Sequence, residues 1–151
     1  MKAAIIYSSS HHMNTKKVLE AIAAELPVEL IPVAKANDTD LSGYSLLGFA
    51  SGIYKANCAP RLAEFMKEYH FGKDQKAFLI TTSGVLNKKY GSAEKRLLEE
   101  KGVKVVGSYS CKGFDTFGPF KYIGGISKGH PNQKELEGAV QFMEKLLETS
   151  N

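Results

Sequence analysis

Apolar runs alternate with amphipathic segments from one end of the chain to the other. Ala3 to Tyr7 is a continuous apolar run of strand length and reads as a strand buried on both faces. Asn14 to Leu26 follows as a helix, with Val18, Leu19, Ile22 and Leu26 at helical spacing and Pro27 closing it. Val28 to Val33 reads as a second strand, and Pro32 within it points to a sheet edge. Ser45 to Ser51 is a third strand. Pro60 to Tyr69 is a helix with proline at its start and Leu62, Phe65, Met66 and Tyr69 on one face. Ala77 to Thr82 is a fourth strand, rich in apolar and β-branched residues. Ser92 to Lys101 is a helix ended by Gly102, and Val103 to Tyr109 is a fifth strand. Asn132 to Glu148 is the last helix, with Asn132 and Glu135 spaced as a capping box. Five strands with helices between most of them argue for a parallel sheet covered on both faces. The stretch Ser110 to Pro131, with glycines at 113, 118, 124, 125 and 129, reads as one long irregular loop, a length that is usually functional or mobile.

Composition narrows this picture without changing it. The 151 residues suit one domain, 1–151, and a 43% hydrophobic fraction supports a real core. No apolar run approaches the roughly 20 residues needed to cross a bilayer, and the run after Met1-Lys2 is too short for a signal peptide, so a cytoplasmic protein is expected. Cys58 and Cys111 make neither a disulfide framework nor a C-x-x-C pair and read as reduced, partly buried thiols. The formal charge of +4 comes from lysines spread along the chain, which is no sign of nucleic-acid binding.

In an open α/β sheet, ligands bind outside the carboxyl ends of the strands. After the first strand this chain places Ser8-Ser9-Ser10-His11-His12-Met13-Asn14-Thr15, a hydroxyl-rich run without an acid that leads into a helix. Unpaired amides and partial positive charge at a helix start suit a phosphate dianion, although the same residue types are ordinary helix caps. After the third strand come Ser51-Gly52-Ile53-Tyr54-Lys55, and after the fourth Thr82-Ser83-Gly84-Val85. Both bring small residues where backbone can approach a flat ligand, and Tyr54 can stack on a ring. Taken together, three such loops on adjacent strands describe a phosphate pocket beside a slot for a planar heterocycle.

On these residues the chain resembles the flavodoxin family. The family's phosphate loop, roughly Ser/Thr-x-Thr/x-Gly-Asn-Thr, has its counterpart in Ser10-His11-His12-Met13-Asn14-Thr15. The loops at Ser51–Tyr54 and Thr82–Gly84 resemble those flanking the isoalloxazine, and the similarity runs from Met1 to about Leu147. The resemblance implies an α/β, flavodoxin-like three-layer α/β/α sandwich around a five-stranded parallel sheet of order 2-1-3-4-5. It also implies one bound FMN, held by Ser8, Ser9, Ser10, His11, His12, Met13, Asn14, Thr15, Ser51, Gly52, Ile53, Tyr54, Lys55, Thr82, Ser83, Gly84 and Val85, with Phe117, Leu86 or Tyr90 as covers for the second face. Three features depart from the family pattern: Met13 replaces the loop glycine, no clear aromatic follows Ser83-Gly84, and the chain is basic rather than acidic. Lysines 55, 88, 89 and 112 near the site, with no acid between Leu41 and Arg61, predict a higher potential for the second electron, unless exposure lets salt screen them.

Other readings fail on residues. A response-regulator receiver needs clustered acids after its first strand and an aspartate after its third; Tyr7-Ser8 and Ser51 stand there instead. A nicotinamide fold needs G-x-G-x-x-G, which the first loop lacks, and the histidines have no metal-ligand spacing. No residue stands out as a catalytic acid or base; Asp115 and Tyr122 read as turn or packing residues. That favours an electron carrier serving redox partner proteins, as a monomer or weak homodimer away from membranes. The alternatives are an FMN-dependent quinone reductase or porphyrinogen dehydrogenase, whose small redox substrate stacks beneath residues 110–131, and a binding module that has lost its flavin.

Overall fold

In the computed structural model, which describes residues 2–9, 13–115 and 123–149, the first strand β1 (Ala3–Ser8) buries both of its faces. Ala4 and Ile6 enter one core, Ala3 and Ile5 the other, because successive strand side chains point to opposite sides. A strand with that pattern must be central. β1 pairs in parallel with β2 (Val28–Pro32) on one side and β3 (Leu46–Tyr54) on the other. β5 (Lys76–Ser83) and β6 (Lys104–Lys112) extend the sheet, again in parallel, in the order β2-β1-β3-β5-β6. With the short strand β4 (Asn57–Cys58) set aside, this is the expected five-stranded flavodoxin-like order. Pro32 lies at the end of β2, an edge strand bonded only to β1.

Helices cover both faces. On one, α1 (Asn14–Glu25) supplies Val18, Leu19 and Ile22, and α5 (Gln133–Thr149) supplies Ala139 and Met143, against Phe78 and Ile80. On the other, α3 (Pro60–Glu68) brings Leu62, Phe65 and Met66, and α4 (Ser92–Glu100) brings Leu98, against Phe49 and Leu79. Burying each of these large side chains is worth about 1.5–3 kcal/mol. The capping box forms as expected: the Glu135 amide donates to Asn132 Oδ1 and the Asn132 amide to a Glu135 carboxylate oxygen, both at 2.9 Å. At the end of α3, Lys101 Nζ donates to the carbonyls of Met66, Lys67 and Tyr69 at 2.8, 2.6 and 2.8 Å.

Four differences from the sequence reading matter. The third strand continues past Ser51 to Tyr54, because the chain folds back and β4 pairs antiparallel with Ile53 and Tyr54. The short helix α2 (Val33–Ala36) follows β2 directly, so Val33 belongs to it rather than to the strand. β6 continues through Lys112, held to Ser83, so the irregular stretch begins at Gly113 and not at Ser110. The thiols are fully buried, on opposite sides of the sheet, Cys58 in one core and Cys111 in the other. Among the described residues, no helix is long and apolar enough to cross a membrane.

Candidate functional site

The parallel register aligns the carboxyl ends of β1, β3, β5 and β6, with Ser8 beside Ser51, Gly52 beside Thr82 and Ser83 beside Lys112. A cleft opens there, lined by Ser9, Asn14, Thr15, Gly52, Ile53, Tyr54, Thr82, Ser83, Gly84, Gly113, Phe114 and Asp115.

The start of α1 forms one end of the cleft. Met13 precedes it with φ 56°, in the left-handed region where glycine is at ease and another residue costs about 1–2 kcal/mol. Methionine thus stands in a backbone conformation that favours glycine. No side chain caps the helix from Met13, and no acid occupies its first turn. The Lys16 amide donates to Ser9 Oγ at 3.1 Å, and the Thr15 and Thr82 hydroxyls bond at 3.0 Å, tying the helix start to the end of β5. Asn14 Nδ2 donates to the Phe114 carbonyl at 2.8 Å, while its Oδ1 is buried with no hydrogen-bond partner among the described residues. A buried amide oxygen without a donor is costly and fits a place where a ligand hydroxyl or N–H completes the bond.

The wall after β3 is a tight hairpin. Ile53 faces Cys58 and Tyr54 faces Asn57, and the two residues between them, Lys55 and Ala56, have φ of 49° and 71°. Ser51 anchors the base of this wall: its Oγ accepts from the Ala59 amide at 3.0 Å and donates to the Gly52 carbonyl at 2.6 Å. Behind it, Glu94 is buried and accepts the Cys58 amide at 2.7 Å. Burial, then the charge of Glu94, pushes the Cys58 thiol up to about 12, so it stays protonated and unreactive at neutral pH.

The opposite wall is built by two loops packed on each other. A Cβ on Gly84 would stand 2.7 Å from Asp115 Cβ, and one on Gly113 would stand 2.5 Å from Asn14 Nδ2, so a larger residue at either position would force these side chains to shift. Asp115 and Ile126 exchange backbone hydrogen bonds at 3.0 and 2.8 Å, and Ser127 Oγ donates to the Gly84 carbonyl at 2.7 Å. The returning chain is fastened by Glu135, which pairs with His130 Nδ1 and accepts the Lys112 amide at 2.9 Å. Burial works to raise the Glu135 pKa, but hydrogen bonds from the Asn132 amide, His130 and the Lys112 amide outweigh it and hold the carboxyl below its ordinary value.

The structure brings Ser9, Asn14, Thr15, Gly52, Ile53, Tyr54, Thr82, Ser83 and Gly84 of the expected residues onto the cleft. Ser8 and Ser51 lie just beneath it in the sheet, and Met13, Lys55 and Val85 stand exposed at its rim. Ser10, His11, His12 and Phe117 lie outside the described residues, as does Tyr122. Gly113, Phe114 and Asp115 join the expected residues on the cleft because β6 runs past Tyr109 to Lys112. The signal was present in Gly113, a glycine at the end of a sheet strand like Gly52 and Gly84.

A family model described as "Flavodoxin domain" matches residues 4–111. An uncharacterized protein of Methanocaldococcus jannaschii is 34% identical over 149 residues, covering 97% of this chain and 99% of the relative. Among solved structures, the fold is shared with a flavodoxin from the domain Archaea (TM-score 0.70, 17% identity, 99% of each chain covered). It is shared also with oxidised flavodoxin 2 from Bacillus cereus (TM-score 0.70, 13% identity, 99% of each chain). General stress protein 14 from Treponema denticola, solved in complex with FMN, matches with a TM-score of 0.66 at 12% identity over 100% of both chains.

Proposed function

The chain belongs to the flavodoxin family, and from that premise we propose that it holds one FMN in the carboxyl-edge cleft and serves as an electron carrier between redox proteins. The observation that carries this reading is the cleft itself. An α1 start with no acid in its first turn, and a buried Asn14 Oδ1 without a donor, adjoin a slot walled by glycine backbone. The residues suit the group. Asn14 and Thr15 would hold the phosphate and ribityl end through amides and side chains; Gly52, Ile53 and Tyr54 would flank one side of the ring, and Ser83, Gly84 and Gly113–Asp115 the other. Bound FMN supplies one- and two-electron chemistry; the chain positions it and excludes water.

Both thiols are held protonated by burial in the two cores, which supports transfer of electrons rather than thiol-based catalysis. The buried thiols also suit a reducing, cytoplasmic setting. A second reading, an FMN-dependent quinone reductase or porphyrinogen dehydrogenase, is favoured by Phe114 and Asp115, which line the cleft where a flat substrate would lie.

The test is a visible spectrum of the purified protein, followed by titration with FMN and with riboflavin. A yellow protein binding FMN at least about tenfold more tightly than riboflavin, a difference of about 1.4 kcal/mol, supports the reading. A colourless protein that ignores micromolar FMN overturns it. Steady turnover of NAD(P)H with a quinone favours the second reading over the first.

A further inference from the structure

The four large apolar side chains exposed among the described residues are Met13 (40%), Val85 (54%), Leu86 (49%) and Ile123 (72%). None lies on a helix face or at the amino edge of the sheet. All four stand on the loops that follow β1, β5 and β6, three of the strands whose carboxyl ends carry the cleft. The charged residues of that same edge are of nearly one sign. Lys55, Lys88, Lys89, Lys112 and Lys128 are exposed there, whereas Asp115 is turned partly into the cleft and Glu135 is engaged by His130 and two amides. The loops entering β3 and β5, at the opposite edge, mix signs, with Asp38, Asp40 and Asp74 beside Lys73. The excess of 20 basic over 16 acidic residues is therefore concentrated where the apolar side chains are.

We propose that this apolar, lysine-rimmed carboxyl edge is the docking surface for a partner protein that carries an acidic ring around its own redox centre. An apolar patch within a charged rim is the anatomy of a protein–protein contact, and opposite charge across the rim steers encounter and sets orientation. A partner of like charge is disfavoured by the same lysines. A lipid surface fits less well: the exposed apolar residues sit on loops rather than along an amphipathic helix, and the chain has no tryptophan to anchor at a headgroup interface. The purpose of the docking rests on the flavin reading; its location and charge preference do not.

The experiment uses the full-length, isotope-labelled protein with two probes, an acidic plant-type [2Fe–2S] ferredoxin and the basic protein cytochrome c. The ferredoxin is expected to shift the backbone amide signals of Met13, Val85, Leu86 and Ile123, and cytochrome c to leave them in place. In about 1 M salt, where the Debye length is about 3 Å, the association should weaken at least about tenfold. The variant K88E/K89E/K128E changes only exposed side chains; it should lose the ferredoxin at least about tenfold and gain cytochrome c. The variant L86S/I123S should weaken the ferredoxin without reversing the preference. No association with the ferredoxin, a preference for cytochrome c, insensitivity to salt, or shifts confined to other faces would overturn the proposal. So would the same amides responding instead to anionic phosphatidylglycerol vesicles or to self-association. A colourless protein that docks the ferredoxin through these amides sinks the flavin reading alone; a yellow one that does not dock sinks the docking alone.

Discussion

The hairpin beside the cleft carries a measurable strain. Lys55 and Ala56 both sit at positive φ, 49° and 71°, in the two-residue turn that joins Tyr54 to Asn57. Turns of this twist strongly favour Asn-Gly, because each other residue held in the left-handed region costs about 1–2 kcal/mol. Replacing Ala56 with glycine removes that cost but adds about 0.5–1 kcal/mol of unfolded-chain entropy, for a net gain of about 0.5–1 kcal/mol. Replacing Lys55 with asparagine, which tolerates the left-handed region, adds about 0.5 kcal/mol. The double variant Lys55→Asn/Ala56→Gly should therefore be about 1–1.5 kcal/mol more stable. At about 2–4 °C per kcal/mol for a chain of this size, its Tm should rise by about 2–6 °C. Urea denaturation of flavin-free protein is the assay, with the midpoint raised and the slope unchanged. A double variant no more stable than the parent, or less stable, refutes the reasoning, since it would mean that the turn does not hold two residues at positive φ.

Three further outcomes follow from named contacts. Gly113→Ala places a Cβ 2.5 Å from Asn14 Nδ2 and should weaken FMN binding at least about tenfold; fluorescence titration with FMN measures it, and unchanged affinity would remove Asn14 from the site. Lys101→Met strips three carbonyls at the end of α3 of their charged donor and should cost about 2 kcal/mol, read from urea midpoints, against less than about 0.5 kcal/mol for the exposed control Lys95→Met. Burial, with Glu135 adding to it, pushes the Cys111 thiol up to about 12, whereas an unfolded thiol ionises near about 8.5. Between those values the folded state keeps a proton that the unfolded state releases, so the stability this thiol contributes is intact below about pH 8.5 and falls by up to about 1.4 kcal/mol per unit above it. Cys111→Ala should lack that component, so the stability difference between parent and variant should shrink from about pH 9 to pH 10; a constant difference would contradict it.

The layered fold followed from the chain's own pattern. Runs such as Ala3 to Tyr7 are apolar at every position, and only a strand covered on both faces can bury them all; Val18, Leu19 and Ile22, or Leu62, Phe65 and Met66, recur at helical spacing and can bury only one stripe. Asn132 and Glu135 cap α5 through bonds three residues apart, so local spacing sufficed there too. That residues directly following β1, β3 and β5 would meet in one cleft was likewise readable, because in an open α/β sheet the carboxyl ends of the strands lie at one edge.

What local pattern could not decide depended on partners distant in the chain. Lys55-Ala56 carries no turn signature; the hairpin of Ile53 to Cys58 is fastened at its far end by Ser51 and Glu94 through the Ala59 and Cys58 amides. Ser110 to Lys112 look like loop, yet pairing with Thr81 to Ser83 makes them strand and brings Gly113, Phe114 and Asp115 onto the cleft. Hydrophobic periodicity is a property of neighbours along the chain, whereas the lining of the cleft, the placing of Met13, Val85, Leu86 and Ile123 on the loops at one edge of the sheet, and the protonation of the buried thiols arise from groups that meet only after folding.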